Sequence, residues 1–135
     1  MNRVKAGLES RAKHGYNCCQ AVACQFCEEM GIAEETVFKM AEGFGAGMAD
    51  MTGPCGALSG AVMVMSALNS TADLEKGSSK AATMKIVREL SAEFREKNGA
   101  TACKDLKGVE TGTMLRSCEG CIEDAIKMVE ARLAK

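Results

Sequence analysis

Eight cysteines lie among 135 residues: Cys18, Cys19, Cys24, Cys27, Cys55, Cys103, Cys118 and Cys121. A thiol binds metal or attacks a disulfide as its thiolate, so the chemistry depends on where the chain holds each sulfur. Cys24 with Cys27 and Cys118 with Cys121 have Cys-x-x-Cys spacing. That spacing serves both zinc knuckles and redox dithiols. Residues 1–9 hold no apolar run of the kind a signal peptide needs. The expectation is a cytoplasmic, reducing location, where clustered cysteines bind metal or do redox work rather than form structural disulfides.

Other catalytic chemistry has little to build on. His14 is the one histidine, so no Cys–His pair forms unless it turns inward, and no Ser–His–Asp set stands out. Gly45 and Gly47 lie in a glycine-rich stretch whose backbone could cradle an anion or approach a cofactor closely. No Lys-Ser/Thr follows, which argues against nucleotide. A net charge of −1 offers nothing to nucleic acid or to an anionic membrane surface. The longest apolar run, residues 55–68, falls short of the roughly 20 residues a membrane span needs.

The patterning predicts a single all-α domain over 1–135, a bundle of five or six helices. A first helix covers residues 2–13 and ends at Gly15. Asn17 and Gln20 form a capping box for a second helix from Cys18 to Met30, stopped by Gly31. Residues 34–43 follow as a third. Pro54 then opens a helix to about residue 68 that is apolar all round and therefore placed centrally. Its Gly56/Gly60 and Ala57/Ala61 spacings let another backbone come close. Met84, Val87, Leu90 and Phe94 mark the inner stripe of a helix over 79–98. A short turn of helix is expected after Thr101, and Ser117 caps a last helix with the stripe Ile122, Ala125, Ile126, Val129 and Leu133.

Helical geometry sorts the cysteines. At about 100° per residue, Cys18 lies about 40° from the core direction of Val22, and Cys19 about 60° on the other side. Cys24 points about 200° away, beside Gln20 and Glu28, and Cys27 sits at the stripe's edge. This predicts an exposed Cys24 and sets the Cys24–Cys27 pair aside as ligands. Cys118 bears the same relation to Ile122 that Cys18 bears to Val22. Cys18, Cys55, Cys103 and Cys118 thus each fall in the first turn of a predicted helix, where free N–H groups and the positive dipole end favour thiolate.

Gly15-Tyr16-Asn17-Cys18, the glycine loop, Cys55-Gly56-Ala57-Leu58-Ser59-Gly60, Cys103-Lys104-Asp105-Leu106 and Cys118 together resemble the C-GCAxxG-C-C family of redox-active proteins over about residues 15–133. That family is similar to a domain of the split-Soret cytochromes that carries a non-haem iron–sulfur centre. The resemblance implies an iron–sulfur cluster on Cys18, Cys55, Cys103 and Cys118, with Gly56 close by. Cys19, Cys24, Cys27 and Cys121 are additions to the family's set, and Cys121 or Cys19 could replace a neighbour. Haem does not carry over, because Glu28 follows Cys27 and Ile122 follows Cys121.

Three functions are expected to compete. The first is an iron–sulfur or other metal protein for electron transfer or sensing, with a redox partner protein and with zinc as the alternative metal. The second is a metal-free thiol–disulfide oxidoreductase using Cys118 and Cys121 as its dithiol. The third is a helical binding module with structural zinc or packing-only cysteines. The small-residue helix faces would also suit a homodimer.

Overall fold

The computed structural model describes residues 2–134. Their regular structure is helical, and the one β feature is an isolated antiparallel bridge between Pro54 and Ala102. The all-α expectation is met.

Helix α1 (Arg3–His14) starts where the Asn2 side chain accepts the Lys5 N–H at 3.0 Å, and it ends at Gly15 with φ 73°. Only a residue without Cβ adopts that left-handed angle freely. Helix α2 (Cys18–Ala23) opens on the expected capping box, with both reciprocal bonds between Asn17 and Gln20 at 2.9 Å. It does not run unbroken to Met30. A 3₁₀ turn (Cys24–Phe26), with Phe26 at φ −126° and ψ 21°, separates α2 from the one-turn α3 (Cys27–Met30). Helix α4 (Glu34–Ala41) follows and lies against α2. The remaining helices are α5 (Gly56–Asn69), α6 (Lys80–Asn98), α7 (Cys103–Lys107) and α8 (Cys118–Leu133).

Helix α5 packs against α2, α6 and α8. Its contact with α2 is a backbone approach. A Cβ at Gly60 would stand 2.8 Å from the Cys19 carbonyl oxygen, and one at Gly56 would stand 3.2 Å from the Cys18 Cβ. The other face of α5, including Val62 and Met63, is half-buried. On α8, Ile122, Ala125, Ile126 and Val129 are wholly buried, but Leu133 is exposed. On α6, Leu90 and Phe94 are wholly buried, whereas Met84 is exposed. Helix α6 is the longest, and its first turns project past the helices that cover its later ones. Burying a side chain such as Phe94 contributes about 1.5–3 kcal/mol. The core thereby fixes α2, α5 and α8, three of the helices that carry cysteines at their starts.

Candidate functional site

Cys18 is the first residue of α2, Cys103 of α7 and Cys118 of α8. Cys55 stands one position earlier, as the N-cap of α5, where its sulfur accepts the N–H groups of Ala57 and Leu58. Ser117 caps α8 by accepting the Gly120 N–H at 3.0 Å. Two backbone bonds then tie Cys55 to Cys103. The Cys55 N–H donates to Thr101 O at 2.7 Å, and the Cys103 N–H donates to Gly53 O at 2.9 Å. Segments nearly fifty residues apart in sequence are thus held side by side.

These four cysteines and Cys121 line one cavity of about 500 Å³. Cys18 hydrogen-bonds to Cys118, and Cys121 to Cys55. Cys118 and Cys121, read as a dithiol from their spacing, therefore each face a partner across the cavity. Their shared helix presents the two sulfurs to different walls. Cys19 is wholly buried beside the cavity without lining it.

Three cations were not legible as part of this site. The Lys107 ammonium donates to the Cys118 sulfur, and Arg11 hydrogen-bonds Cys18 while pairing with Glu119 at 2.9 Å. Arg116 also lines the cavity. Its guanidinium grips the buried Asp124 with two bonds of 3.0 and 3.1 Å, and Lys97 reaches the same carboxylate at 3.2 Å. Any side chain at Gly120 would collide with that guanidinium, so the glycine between Cys118 and Cys121 makes room for it.

The first-turn argument predicts four acidified thiols, and two behave so. Cys118 is held below the ordinary thiol range by the Cys18 hydrogen bond and by Lys107 and Arg11, against burial. Cys55 is lowered by the Cys121 hydrogen bond and by its two backbone donors. Cys18 is raised, because it donates to Cys118 and is buried. Burial also raises Cys103, and there it outweighs Lys107. In each bonded pair one sulfur thus holds the negative charge and the other holds the proton. Alkylation of the metal-free protein by iodoacetamide is expected to proceed at Cys118 well below the pH at which a free cysteine reacts. Lys107→Met should move that profile toward higher pH. Peptide mapping of the alkylated residue across a pH series checks both points, and an unchanged profile in the variant would remove Lys107 from the site.

Cys24 corrects the angle reading, because it is buried and Cys27 is the half-exposed member of the pair. The face assigned to solvent is covered by α4, where Gln20 Nε2 donates to Phe38 O at 2.9 Å. Burial pushes the Cys24 thiol up to about 12. The predicted glycines face protein in this structure. A Cβ at Gly45 would press on Asn17, one at Gly47 on Cys103, and one at Gly56 on Phe44 O at 3.0 Å. Each therefore draws a chain segment close to a cysteine.

The family model described as "Putative redox-active protein (C_GCAxxG_C_C)" matches residues 16–132. No curated protein and no solved structure gives a significant match. Among the described residues, no helix is long and apolar enough to cross a membrane.

Proposed function

Since the chain belongs to the C-GCAxxG-C-C family of redox-active proteins, we propose that its thiol cavity holds an iron–sulfur cluster for electron transfer or sensing. One observation carries this reading. Five thiols from four separate segments meet around a single cavity with Arg11, Lys107 and Arg116 on its wall. Cys18, Cys55, Cys103 and Cys118 are the proposed ligands, with Cys121 able to stand in for a neighbour. Thiolate-ligated clusters carry net negative charge, and Lys107 offsets it, with Arg11 shared between Cys18 and Glu119. The free N–H groups at the four helix starts act in the same direction.

An iron–sulfur cluster and a lone zinc ion compete for this donor set. Among the described residues, no three His, Cys, Asp or Glu side chains stand together as ligands of one ion. Four of the five cavity sulfurs form two hydrogen-bonded pairs, Cys18–Cys118 and Cys55–Cys121. When bound, such a cluster supplies one-electron chemistry at a potential set by hydrogen bonds and burial. A partner protein would exchange the electron over the cavity mouth.

A metal-free thiol–disulfide function is the second reading, and the Cys18–Cys118 contact favours it. A thiolate beside a cation, with a protonated thiol in contact, is the arrangement of a reactive dithiol. Reconstitution separates the two. The protein, reduced without oxygen, is given ferrous iron and sulfide, and parallel samples receive zinc. The expected result is a visible charge-transfer spectrum with iron and sulfide bound in fixed ratio. A colourless protein with eight titratable thiols would overturn the cluster reading. A Cys18–Cys118 or Cys55–Cys121 disulfide formed when that metal-free sample is titrated with oxidised glutathione, and reopened by reduced glutathione, would establish the second.

A further inference from the structure

We infer that a second cavity, on the opposite side of the segment 44–54 from the thiols, binds a small amphipathic carboxylate and thereby controls access to the thiol cavity. This cavity measures about 440 Å³ and lies between α5, α6 and that segment. Phe44, Met48, Leu58, Val62, Met63 and Val87 give it apolar walls. Three hydroxyl residues, Ser59, Ser91 and Thr101, and one cation, Arg95, supply the polar groups. A concave apolar site with a few placed polar groups is the usual form of a small-molecule site.

Charge selects the ligand. Arg95 is exposed at the wall, and among the described residues no carboxylate pairs with it. A guanidinium presents a planar fork that matches a carboxylate. The other polar groups of the wall are uncharged hydroxyls and the rest is apolar, so the matching molecule is a hydrocarbon body ending in one carboxylate.

Segment geometry links the two cavities. Phe44, Met48 and Pro54 line the second cavity, while Ala46, Met51 and Cys55 line the first. Alternate residues of one short stretch therefore form both walls. That stretch is strained. Ala46, Met48, Ala49 and Met51 have φ of 49°, 63°, 74° and 68°. For residues with a Cβ this costs roughly 1–2 kcal/mol each. Such angles persist only while surrounding contacts hold them, and a ligand packed on Met48 and Phe44 changes those contacts. By linkage, occupation of either cavity then alters the other.

The experiment uses the whole reduced protein with decanoate as the probe and decanol as its uncharged counterpart. Calorimetry is expected to give saturable binding of one decanoate, with decanol weaker. Arg95→Gln should weaken decanoate about tenfold, the worth of one hydrogen bond to a charged group. Val62→Trp, which fills the cavity, should abolish binding while circular dichroism shows the helices intact. Saturating decanoate should slow maleimide labelling of Cys55 and Cys103 several-fold. Absence of saturable binding, equal affinity for decanol, or binding indifferent to both substitutions would overturn the site. Binding without any change in labelling would overturn its control of the thiols. A concentration-dependent dimer broken by Val62→Trp in sedimentation would assign the cavity to a second copy of the chain instead. None of these readouts requires a cluster, so they stand apart from the function proposed above.

Discussion

Gly60→Val is expected to destabilise the protein by about 3 kcal/mol, the upper end for forcing extra volume into a packed interior. Two effects compete. Glycine is the poorer helix former, so intrinsic propensity favours valine, but by less than ~1 kcal/mol. Against that, the new Cβ would meet the Cys19 carbonyl oxygen at 2.8 Å and the Val22 Cβ at 2.9 Å. The first is backbone and cannot rotate away, so α2 must shift as a unit. That shift also breaks the close approach of Gly56 to Cys18 and Cys19, and so moves one wall of the thiol cavity. Gly43→Ala is the control, since nothing lies within 4 Å of its added carbon. Urea titrations of the three proteins measure the difference. A Gly60→Val midpoint equal to wild type would mean that the α2–α5 approach does not limit stability.

The same contact shows what a sequence can and cannot convey. Small residues four apart announce that some backbone comes close, but they do not name it. Here the partner is α2, and the choice follows from long-range packing that no local pattern encodes. Local signals fared well. Asn17 with Gln20, Gly15, Gly31 and Ser117 all mark helix ends, because capping depends on neighbours only. The angle argument failed at Cys24 for a related reason. It assumes one buried face per helix, and α2 has two, one against α5 and one under α4.

The charges of the site were the least legible part. Arg11 sits on α1, seven residues before Cys18, and Lys107 ends α7, eleven residues before Cys118. Charged residues on helix surfaces are common, so nothing singles out these two until the helices are assembled. The cysteines had a local signal, since a helix start is recognisable wherever it occurs. The acidity of each did not. Whether a first-turn thiol is lowered or raised is decided by which sulfur faces it and by how deeply both are buried, and these are tertiary facts.

Serine replacements carry the sharpest consequence for the site. Cys55→Ser is expected to leave less than about a tenth of the wild-type iron after reconstitution, at least the loss that follows from disturbing a metal's outer-shell partners. Cys55 is chosen because three independent contacts fix it. Its sulfur takes two backbone N–H groups at the start of α5, it pairs with Cys121, and its own N–H is tied to Thr101 beside Cys103. Replacing Cys18, Cys103 or Cys118 should give the same loss if these are the ligands. Cys24→Ser and Cys27→Ser should keep the full complement, because neither lines the cavity. Cys121→Ser tests the fifth thiol. It faces Cys55 from within α8 rather than from a helix start, and it holds the proton of that pair. Retained iron in Cys121→Ser together with lost iron in Cys103→Ser would fix the ligand set as Cys18, Cys55, Cys103 and Cys118. The opposite result would place Cys121 in the set and leave Cys103 as the thiol that closes the wall against Gly47. Full iron in both Cys55→Ser and the Cys55→Ser, Cys121→Ser double variant, with their helices intact, would show that the cavity does not hold the cluster at all.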